Sequence, residues 1–182
     1  TTVVRARAFK TNWKPTDVDT HSYIFIADVI RQAPNWEATR VPPTNFPASW
    51  GANTVDYGMD PDIVSRHTLA EWKEAFTQIP TMSIVTEMGN LFDPTTGIYA
   101  NASQHGIDWE RPMSLELIDP NAAPMGQFQE NCGLRIRGGF SRNPQFVKHS
   151  LRVFFRREYG AGRLQYPLFE DEGAQEFETF DL

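Results

Sequence analysis

Hydrophobic and polar residues alternate along several short stretches of the chain, a pattern typical of strands with one buried and one solvated face. Arginines alternate with leucine and isoleucine at residues 134–137, and the alternation nearly holds at 149–156. Glycine, serine, asparagine and proline occupy residues 138–144 between these two runs. Because these are turn-forming residues, the segment predicts two antiparallel strands joined by a long loop.

Further strands are predicted by the same pattern at 2–9, 20–26, 81–87, 112–118 and 177–182. The first two flank a polar stretch with Asn12 and Pro15, and together they predict a hairpin. A two-stranded unit is marginal in water, so we expect it to pair with the later sheet or with sequence outside the chain. In the fourth of these strands, Glu116 is expected on the solvated side.

One segment has clear helical periodicity. Thr68 and Glu71 form a Thr-x-x-Glu capping box, and apolar residues then recur at three- and four-residue spacing up to Phe76. This pattern predicts a helix at about 68–78, and one or two further helical turns are predicted at 27–32. The predicted fold class is α+β and β-rich, with a mostly antiparallel sheet, one amphipathic helix and long ordered loops.

Prolines and tryptophans dominate residues 33–56. Four prolines disfavour a regular element there, and two tryptophans make the segment too aromatic for a free linker. We expect an ordered loop that lays its tryptophans on a domain surface, as part of a connector that spans 27–56. The chain has no initiator Met and no visible signal peptide, so we expect it to be an excised or processed piece of a longer protein.

Basic residues are concentrated near the carboxyl end. Residues 133–163 hold eight of the seventeen Lys and Arg residues and a single acid, Glu158. That segment therefore carries +7, and the rest of the chain carries −13 within a net charge of −6. Such a concentrated positive field favours an anion: a phosphate, an acidic partner or the acidic remainder of the same fold. The negative net charge argues against nucleic-acid binding.

The composition disfavours several other classes of protein and site. No apolar run approaches the roughly 20 residues of a membrane span, so no span is predicted. The four histidines are scattered, and the single Cys132 is interpreted as a buried structural thiol, so neither a zinc site nor a nucleophilic pair is predicted. A calcium ion could bind at one of the aspartate-containing turns, although such side chains commonly cap local backbone. The aspartates in these turns are Asp17, Asp19, Asp60, Asp62 and Asp93.

The basic segment also contains the candidate nucleotide- or anion-binding residues. These are Lys148, Arg135, Arg137, Arg152 and Ser141. Lys148 is the only lysine in the segment, and a lysine is a point charge suited to a phosphate. It is therefore either a phosphate ligand or a solvated lysine at the end of a strand.

Each of the other candidates also has two interpretations. The three arginines share the solvated faces of their strands, where they either clamp phosphate oxygens or pair with acids on neighbouring strands. The acids available for such pairing are Glu116, Glu178 and Asp181. Gly138, Gly139 and Ser141 either cradle an anion with backbone N–H groups or form a simple turn.

Several segments, taken in order, resemble a known family. GLRIRGGFSR at 133–142 and KHSLRVFFRREYGAGRLQYPLF at 148–169 are similar to the amino-terminal part of the CotH family, the spore-coat-type protein kinases. The upstream segments that extend the resemblance are IPTMSIVT at 79–86, NLFDPTTGIYAN at 90–101 and WERPMSLELIDP at 109–120. In addition, TVVRARAFKTNWKPTDVDTHSYIF resembles the last two strands of an immunoglobulin-like module of the chitobiase carboxy-terminal type.

The resemblance implies three parts: the end of an immunoglobulin-like module at 1–26, the connector at 27–56, and a truncated kinase amino-terminal lobe at 57–182. Members of the family transfer phosphate from ATP to proteins and need a divalent metal, which implies ATP and Mg²⁺ as cofactors. KHSLR matches the family's K-x-S-x-R stretch on a nucleotide-facing strand. Many members have a polar residue at the position of Gly139, so the loop departs from the family pattern.

The family's catalytic acids lie beyond the segment that matches, so no catalytic residue is expected in this chain and nucleotide binding is expected to be weak or absent. The expected function is that of a fragment of an exported CotH-like kinase, at the cell surface or outside the cell, with the rest of the parent polypeptide as its partner. The alternative is a structural or adhesive module that grips neighbouring subunits of an extracellular assembly with its exposed edge strands.

Overall fold

The computed structural model describes residues 1–32, 57–121, 126–146 and 148–182, together with the backbone at 49–50 and 53–54. Over these residues the chain is rich in antiparallel strands and has few helices, which confirms the predicted α+β class. The strands are β1 (Thr2–Ala6), β2 (Asp19–Tyr23), β3 (Ser49–Trp50), β4 (Asn53–Thr54), β5 (Thr81–Val85), β6 (Arg111–Ile118), β7 (Phe128–Ile136), β8 (Leu151–Phe154) and β9 (Thr179–Asp181). The helices are α1 (Ile26–Val29), α2 (Pro61–Val64), α3 (Leu69–Gln78) and α4 (Met88–Phe92).

The main sheet has five strands in the order β5-β6-β7-β8-β9, and every neighbouring pair is antiparallel. The two basic strands predicted at 134–137 and 149–156 are β7 and β8, which pair antiparallel across a loop with a short 3₁₀ helix. Strand order follows chain order because each connection returns directly to the neighbouring position. The alternating pattern therefore predicted this sheet correctly.

Register places one set of side chains of the main sheet on an apolar face. Leu115, Cys132, Leu134 and Val153 are buried there, and Phe155 continues the same face beyond β8. Ile98 and Ala102 from the loop after α4, together with Leu164, complete the core by covering this face. Burial raises the pKa of the Cys132 thiol to about 12, which confirms its interpretation as a structural thiol.

The opposite face of the main sheet is polar. Its polar members are Thr81, Ser83, Ser114, Glu116, Gln129, Asn131, Arg135, Arg152, Thr179 and Asp181, and Val85, Pro112 and Ile118 lie on it as well. Gly133 and Phe154 lie opposite each other in the middle of this face. The polar face is the side of the sheet on which the candidate residues of β7 and β8 lie.

The predicted hairpin is confirmed, because β1 and β2 pair antiparallel over their full length. The hairpin does not extend the main sheet by strand pairing; β2 instead lies against its polar face. The backbone N–H of Ser22 donates to the Glu116 carboxylate at 2.7 Å, and that of Thr20 donates to the Gln129 side chain at 3.3 Å. Side chains of the main sheet thus satisfy donors on the open edge of β2.

Glu116 requires a correction to the sequence prediction. It lies on the polar face as expected, but it is buried and not solvated, because β2 covers it. Its carboxylate accepts the Ser22 N–H and lies 3.1 Å from Nδ1 of His21. A buried carboxylate that accepts hydrogen bonds avoids part of the cost of leaving water, which makes this contact the centre of the hairpin's docking.

The predicted helix is confirmed as α3, with its capping box formed in both directions. The Glu71 N–H donates to Thr68 Oγ1 at 3.3 Å, and the Thr68 N–H donates to the Glu71 carboxylate at 2.7 Å. On the apolar side, the ring of Trp72 contacts His67 and Phe76. No residue of α3 is fully buried, so the helix lies outside the core.

Two other predictions concern the amino-terminal half. The helical turns predicted at 27–32 are confirmed, with a small shift, by α1. The predicted ordered loop of 33–56 lies outside the described residues, apart from the paired backbone of β3 and β4. The division of the chain into three parts stays a prediction.

Candidate functional site

Four arginines and two acids form the most prominent charged cluster of the polar face, which we call the arginine cluster. Its members are Arg135, Arg137, Arg152, Arg156, Glu110 and Asp181. Register places Arg135 of β7 directly opposite Arg152 of β8, and Arg152 opposite Asp181 of β9. Like charges opposite each other repel, so the acids are needed to hold these strands in register. Four guanidinium groups and two carboxylates leave a formal charge of +2.

Glu110 is the buried acid of the arginine cluster. Its side chain is 1% exposed and lies between two guanidinium groups. Nε of Arg135 donates to Oε2 of Glu110 at 2.7 Å, and Nε of Arg156 donates to Oε1 at 2.7 Å. Both arginines are only partly buried, so the carboxylate is held by charged hydrogen bonds while the cations keep some contact with water.

Gly133 makes room for this carboxylate. A Cβ atom at residue 133 would lie 2.5 Å from Oε1 of Glu110 and 2.7 Å from the ring of Tyr159. Only a glycine lets an acid and an aromatic ring approach the strand so closely. Opposite Gly133, the ring of Phe154 lies 4.2 Å from the Arg135 guanidinium and 5.0 Å from that of Arg156. The two cations are therefore positioned by an aromatic ring as well as by Glu110.

Tyr159 closes the buried side of the arginine cluster. Burial and the negative charge of Glu110 raise the pKa of its hydroxyl above the ordinary value. The phenol therefore stays protonated at neutral pH and is available only as a neutral hydroxyl.

Asp181 is the exposed acid of the arginine cluster. Its carboxylate accepts from Nη2 of Arg152 at 2.7 Å, from Nε of the same arginine, and from Nε of Arg137 at 3.1 Å. These hydrogen bonds, that of Arg152 first, lower the pKa of Asp181 to about 2. The side chain remains 42% exposed, so this ion pair is open to solvent and to competing anions.

Lys148 lies at the start of the second basic strand. It is exposed, and within the described part of the chain it has no ion-pair partner. His149 is buried between exposed Lys148 and Ser150, and the Ser150 carbonyl accepts the N–H of Arg137 at 2.7 Å. Lys148 lies three residues before β8, and the exposed–buried–exposed pattern at 148–150 is the one expected if the alternation of β8 continued back to it, on the side of Arg152.

Ser141 lies apart from the arginine cluster, in the exposed 3₁₀ helix of the β7–β8 loop. Its carbonyl accepts from Nδ1 of His149 at 2.9 Å, which ties the loop to the start of β8. Gly138 has φ of +123°, a conformation that favours glycine, and its position leaves space for the Ser141 hydroxyl. This geometry is that of a tight turn, one of the two interpretations given by the sequence.

The structure thus brings together three of the five candidates. Arg135, Arg137 and Arg152 meet in the arginine cluster. Lys148 is exposed just before β8, and Ser141 lies in the loop between β7 and β8. All three arginines are engaged in internal ion pairs. Asp181 accepts hydrogen bonds from two of these arginines, and the sequence had already indicated it as an acid available for such pairing. The sequence analysis did not identify Glu110 as a partner of the arginines. The one sequence feature that could have indicated it is its position as an acid just before a predicted strand, in the segment WERPMSLELIDP.

Two described cavities lie beside the main sheet. One of about 320 Å³ lies between the hairpin and the main sheet and is lined by residues that include Arg5, Arg7, Asn131 and Tyr159. The other, an open groove of about 990 Å³, lies beyond the end of β8 and is lined by residues that include Arg157. Lys148 lines neither of these two cavities.

The aspartate-containing turns use their side chains locally. Oδ1 of Asp93 accepts from the N–H groups of Thr95 and Thr96, and Oδ1 of Asp60 caps α2 by accepting from the Asp62 N–H. In the described portion of the chain, no three His, Cys, Asp or Glu side chains come together as metal ligands would. Calcium at these turns stays a prediction.

Comparison with known proteins gives no relative for this chain: no family model, no curated protein and no solved structure matches it. Among the described helices, none has the length and apolar character needed to cross a bilayer. The site must therefore be interpreted from its own geometry.

Replacing Glu110 by Gln should destabilise the protein strongly, because two partly buried guanidinium groups would lose their counter-charge. Removing one partner of a buried ion pair usually costs about 3–5 kcal/mol, and the partial exposure of both arginines reduces this to about 2–3 kcal/mol. Urea denaturation followed by circular dichroism measures the free energy of unfolding. Glu178→Gln is the matched control, since this exposed acid pairs with Arg163 at the surface and should cost less than about 1 kcal/mol. Equal losses in the two variants would contradict the central role of Glu110.

Asp181 should make stability depend on pH in the acid range. Its pKa is lower in the folded chain than the value of about 3.9 in an unfolded chain. The stabilisation is therefore complete above about pH 4 and is lost as the pH falls through about 2. Because Asp181 is partly exposed to solvent, its ion pairs should contribute no more than about 1 kcal/mol to the free energy of unfolding. The free energy of unfolding of wild type minus that of Asp181→Asn should shrink over this window, and Asp171→Asn, which removes an exposed acid outside the arginine cluster, is the comparison variant. A pH-independent difference for Asp181→Asn would refute the assignment.

Proposed function

We propose that this chain is the β-rich amino-terminal portion of an exported CotH-like kinase, and that the polar face contributes phosphate contacts to the nucleotide site of that kinase. The ligand is ATP with Mg²⁺, and the location is the cell surface or the extracellular space. The proposal assigns no catalytic residue to this chain, because the resemblance places the metal-binding acids outside the matching segment. The chain's role is therefore to bind phosphate, not to transfer it.

The observation that supports this proposal is the convergence of cations on one face of β7 and β8. Arg137 and Arg152 come from different strands and both bind the Asp181 carboxylate, and the exposed Lys148 stands three residues before β8, where strand alternation would assign it to the side of Arg152. A phosphate prefers guanidinium and ammonium donors arranged in this way. The net positive charge of the arginine cluster adds to the attraction within an otherwise acidic chain.

The two acids of the arginine cluster divide its arginines into two roles. Glu110 is buried, so Arg135 and Arg156 are committed to it and act as structural supports. Asp181 is partly exposed and accepts hydrogen bonds from Arg137 and Arg152 much as a phosphate would. A polyphosphate therefore competes with a carboxylate of the chain itself, which accounts for the weak nucleotide binding that we expect.

Titration with ATP and Mg²⁺ in a calorimeter tests this function. Lys148→Ala should weaken ATP binding about tenfold, equivalent to about 1.4 kcal/mol, because one phosphate-facing ammonium group is removed. Lys73→Ala is the control, since Lys73 is an equally exposed lysine on α3, away from the main sheet. Adenosine, which lacks phosphate, should not bind measurably to the wild type or to either variant. If both variants bind ATP as the wild type does, Lys148 has no place in the site.

A structural or adhesive module is the second candidate. It is favoured by the ion pairs that already engage every arginine of the arginine cluster, and by β5 and β9, which form the two edges of the main sheet. Unpaired edge strands are surfaces that add strands from a neighbouring chain.

Size-exclusion chromatography with light scattering separates the two candidates. If the chain is part of a CotH-like kinase, we expect a compact monomer that binds ATP. Polymers whose size is indifferent to ATP, in a protein that shows no phosphate-dependent binding, would instead support the structural module.

A further inference from the structure

The turn of the β1–β2 hairpin carries two exposed aromatic side chains. We call residues 7–16 the hairpin tip. Phe9 is 74% exposed and Trp13 is 68% exposed, so one short loop carries two large exposed apolar side chains. Burying either ring would be favourable, so the position of both at one end of the chain's first hairpin needs an explanation.

The hairpin tip is an ordered structure. The Thr16 N–H donates to the Ala8 carbonyl at 3.2 Å, and the Ala8 N–H donates to the Thr16 hydroxyl at 3.0 Å, which closes the base of the loop. Within the loop, the Trp13 N–H donates to the Lys10 carbonyl at 3.0 Å, and Asn12 has the left-handed φ of +64° that tight turns use. The backbone that carries both rings is therefore ordered.

Cations surround the two rings. Nζ of Lys10 lies 4.7 Å from the centre of the Trp13 ring, and the guanidinium of Arg7 lies 5.2 Å from that of Phe9. Residues 1–16 contain four basic residues and no acid, in a chain whose net charge is −6. Among the described residues, neither Lys10 nor Lys14 has an ion-pair partner. The hairpin tip is thus both apolar and cationic, with unpaired charge.

We infer that the hairpin tip docks on the surface of an anionic phospholipid bilayer. Tryptophan and phenylalanine at a convex tip insert at the level of the headgroups, where an aromatic ring is more stable than in water. The unpaired lysines then lie beside the anionic headgroups, whose negative potential attracts them. The match of charge and apolar surface identifies this partner, and the contact is peripheral because only side chains of one turn enter the interface.

A nucleic acid would meet the same charges but not the same rings. Sequence-independent binding of single strands depends on aromatic faces that are open for base stacking. Here a cation lies over one face of each ring, and neither ring lines either of the two described cavities. The geometry therefore favours lipid over bases.

Flotation with lipid vesicles tests the inference on the full chain. Wild type should float with vesicles of phosphatidylcholine mixed with phosphatidylserine and should stay behind with phosphatidylcholine alone. Lys10→Gln with Lys14→Gln should weaken binding roughly 25-fold, at about fivefold for each cation removed near the surface. Phe9→Ser with Trp13→Ser should abolish flotation, and added salt should weaken that of the wild type.

Two controls keep the result specific to the hairpin tip. Phe169→Ala removes another exposed aromatic ring, 62% accessible and followed by acids, and should leave flotation unchanged. Brominated lipid should quench more fluorescence in the wild type than in Trp13→Phe, which reports insertion of that ring without removing an aromatic group.

The inference is overturned if the wild type ignores anionic vesicles, or if the lysine and aromatic variants float as well as the wild type does. Binding of a single-stranded oligonucleotide that competes with vesicles and is lost in the same variants would also overturn it, in favour of nucleic acid. None of these outcomes depends on ATP, so the inference stands or falls separately from the proposed function.

Discussion

A buried carboxylate between two guanidinium groups organises the polar face of this protein. Glu110 reaches this face from the residue before β6, and it joins Arg135 of β7 to Arg156 just after β8. Three successive strands are thus linked by one side chain that has almost no contact with water. Burying a carboxylate here without both arginines would cost free energy. The pairing with Glu110 therefore fixes how the strands end and the direction in which Arg135 and Arg156 point. Gly133 and Phe154 make the arrangement sterically feasible.

The polar face has two halves with different roles. At one end, β2 lies on the face, and buried Glu116 accepts a backbone N–H from the hairpin. At the other end, the arginine cluster has an excess of positive charge, and its Asp181 side is open to solvent. A sheet with one apolar face usually leaves the other to solvent, yet here half of that second face is used for docking. The half with the arginine cluster is what supports the phosphate-binding proposal, and the docked hairpin is what holds the aromatic tip in place.

Local patterns predicted much of the fold. Strand patterns identified β1, β2 and all five strands of the main sheet, and the Thr68–Glu71 pair identified the start of α3, because both patterns depend on neighbours in sequence. The same patterns predicted which side of each strand the arginines occupy. They did not predict the partners: the two arginines of Glu110 are 25 and 46 residues away, and no local pattern encodes such a contact. The burial of Glu116 was not predicted for the same reason: the strand that covers it, β2, contacts it through Ser22, 94 residues earlier in the chain.

The sequence by itself determined the class of fold, the two-faced character of the main sheet and the concentration of positive charge on β7 and β8. These follow from side-chain periodicity and composition, which act over a few residues. Tertiary structure alone decided which charges are paired and which are open: it buried Glu110 and Glu116, left Asp181 and Lys148 exposed, and turned Phe9 and Trp13 outward. The physical reason is that desolvation and ion pairing depend on distance in space, and residues far apart in the chain supply the partners.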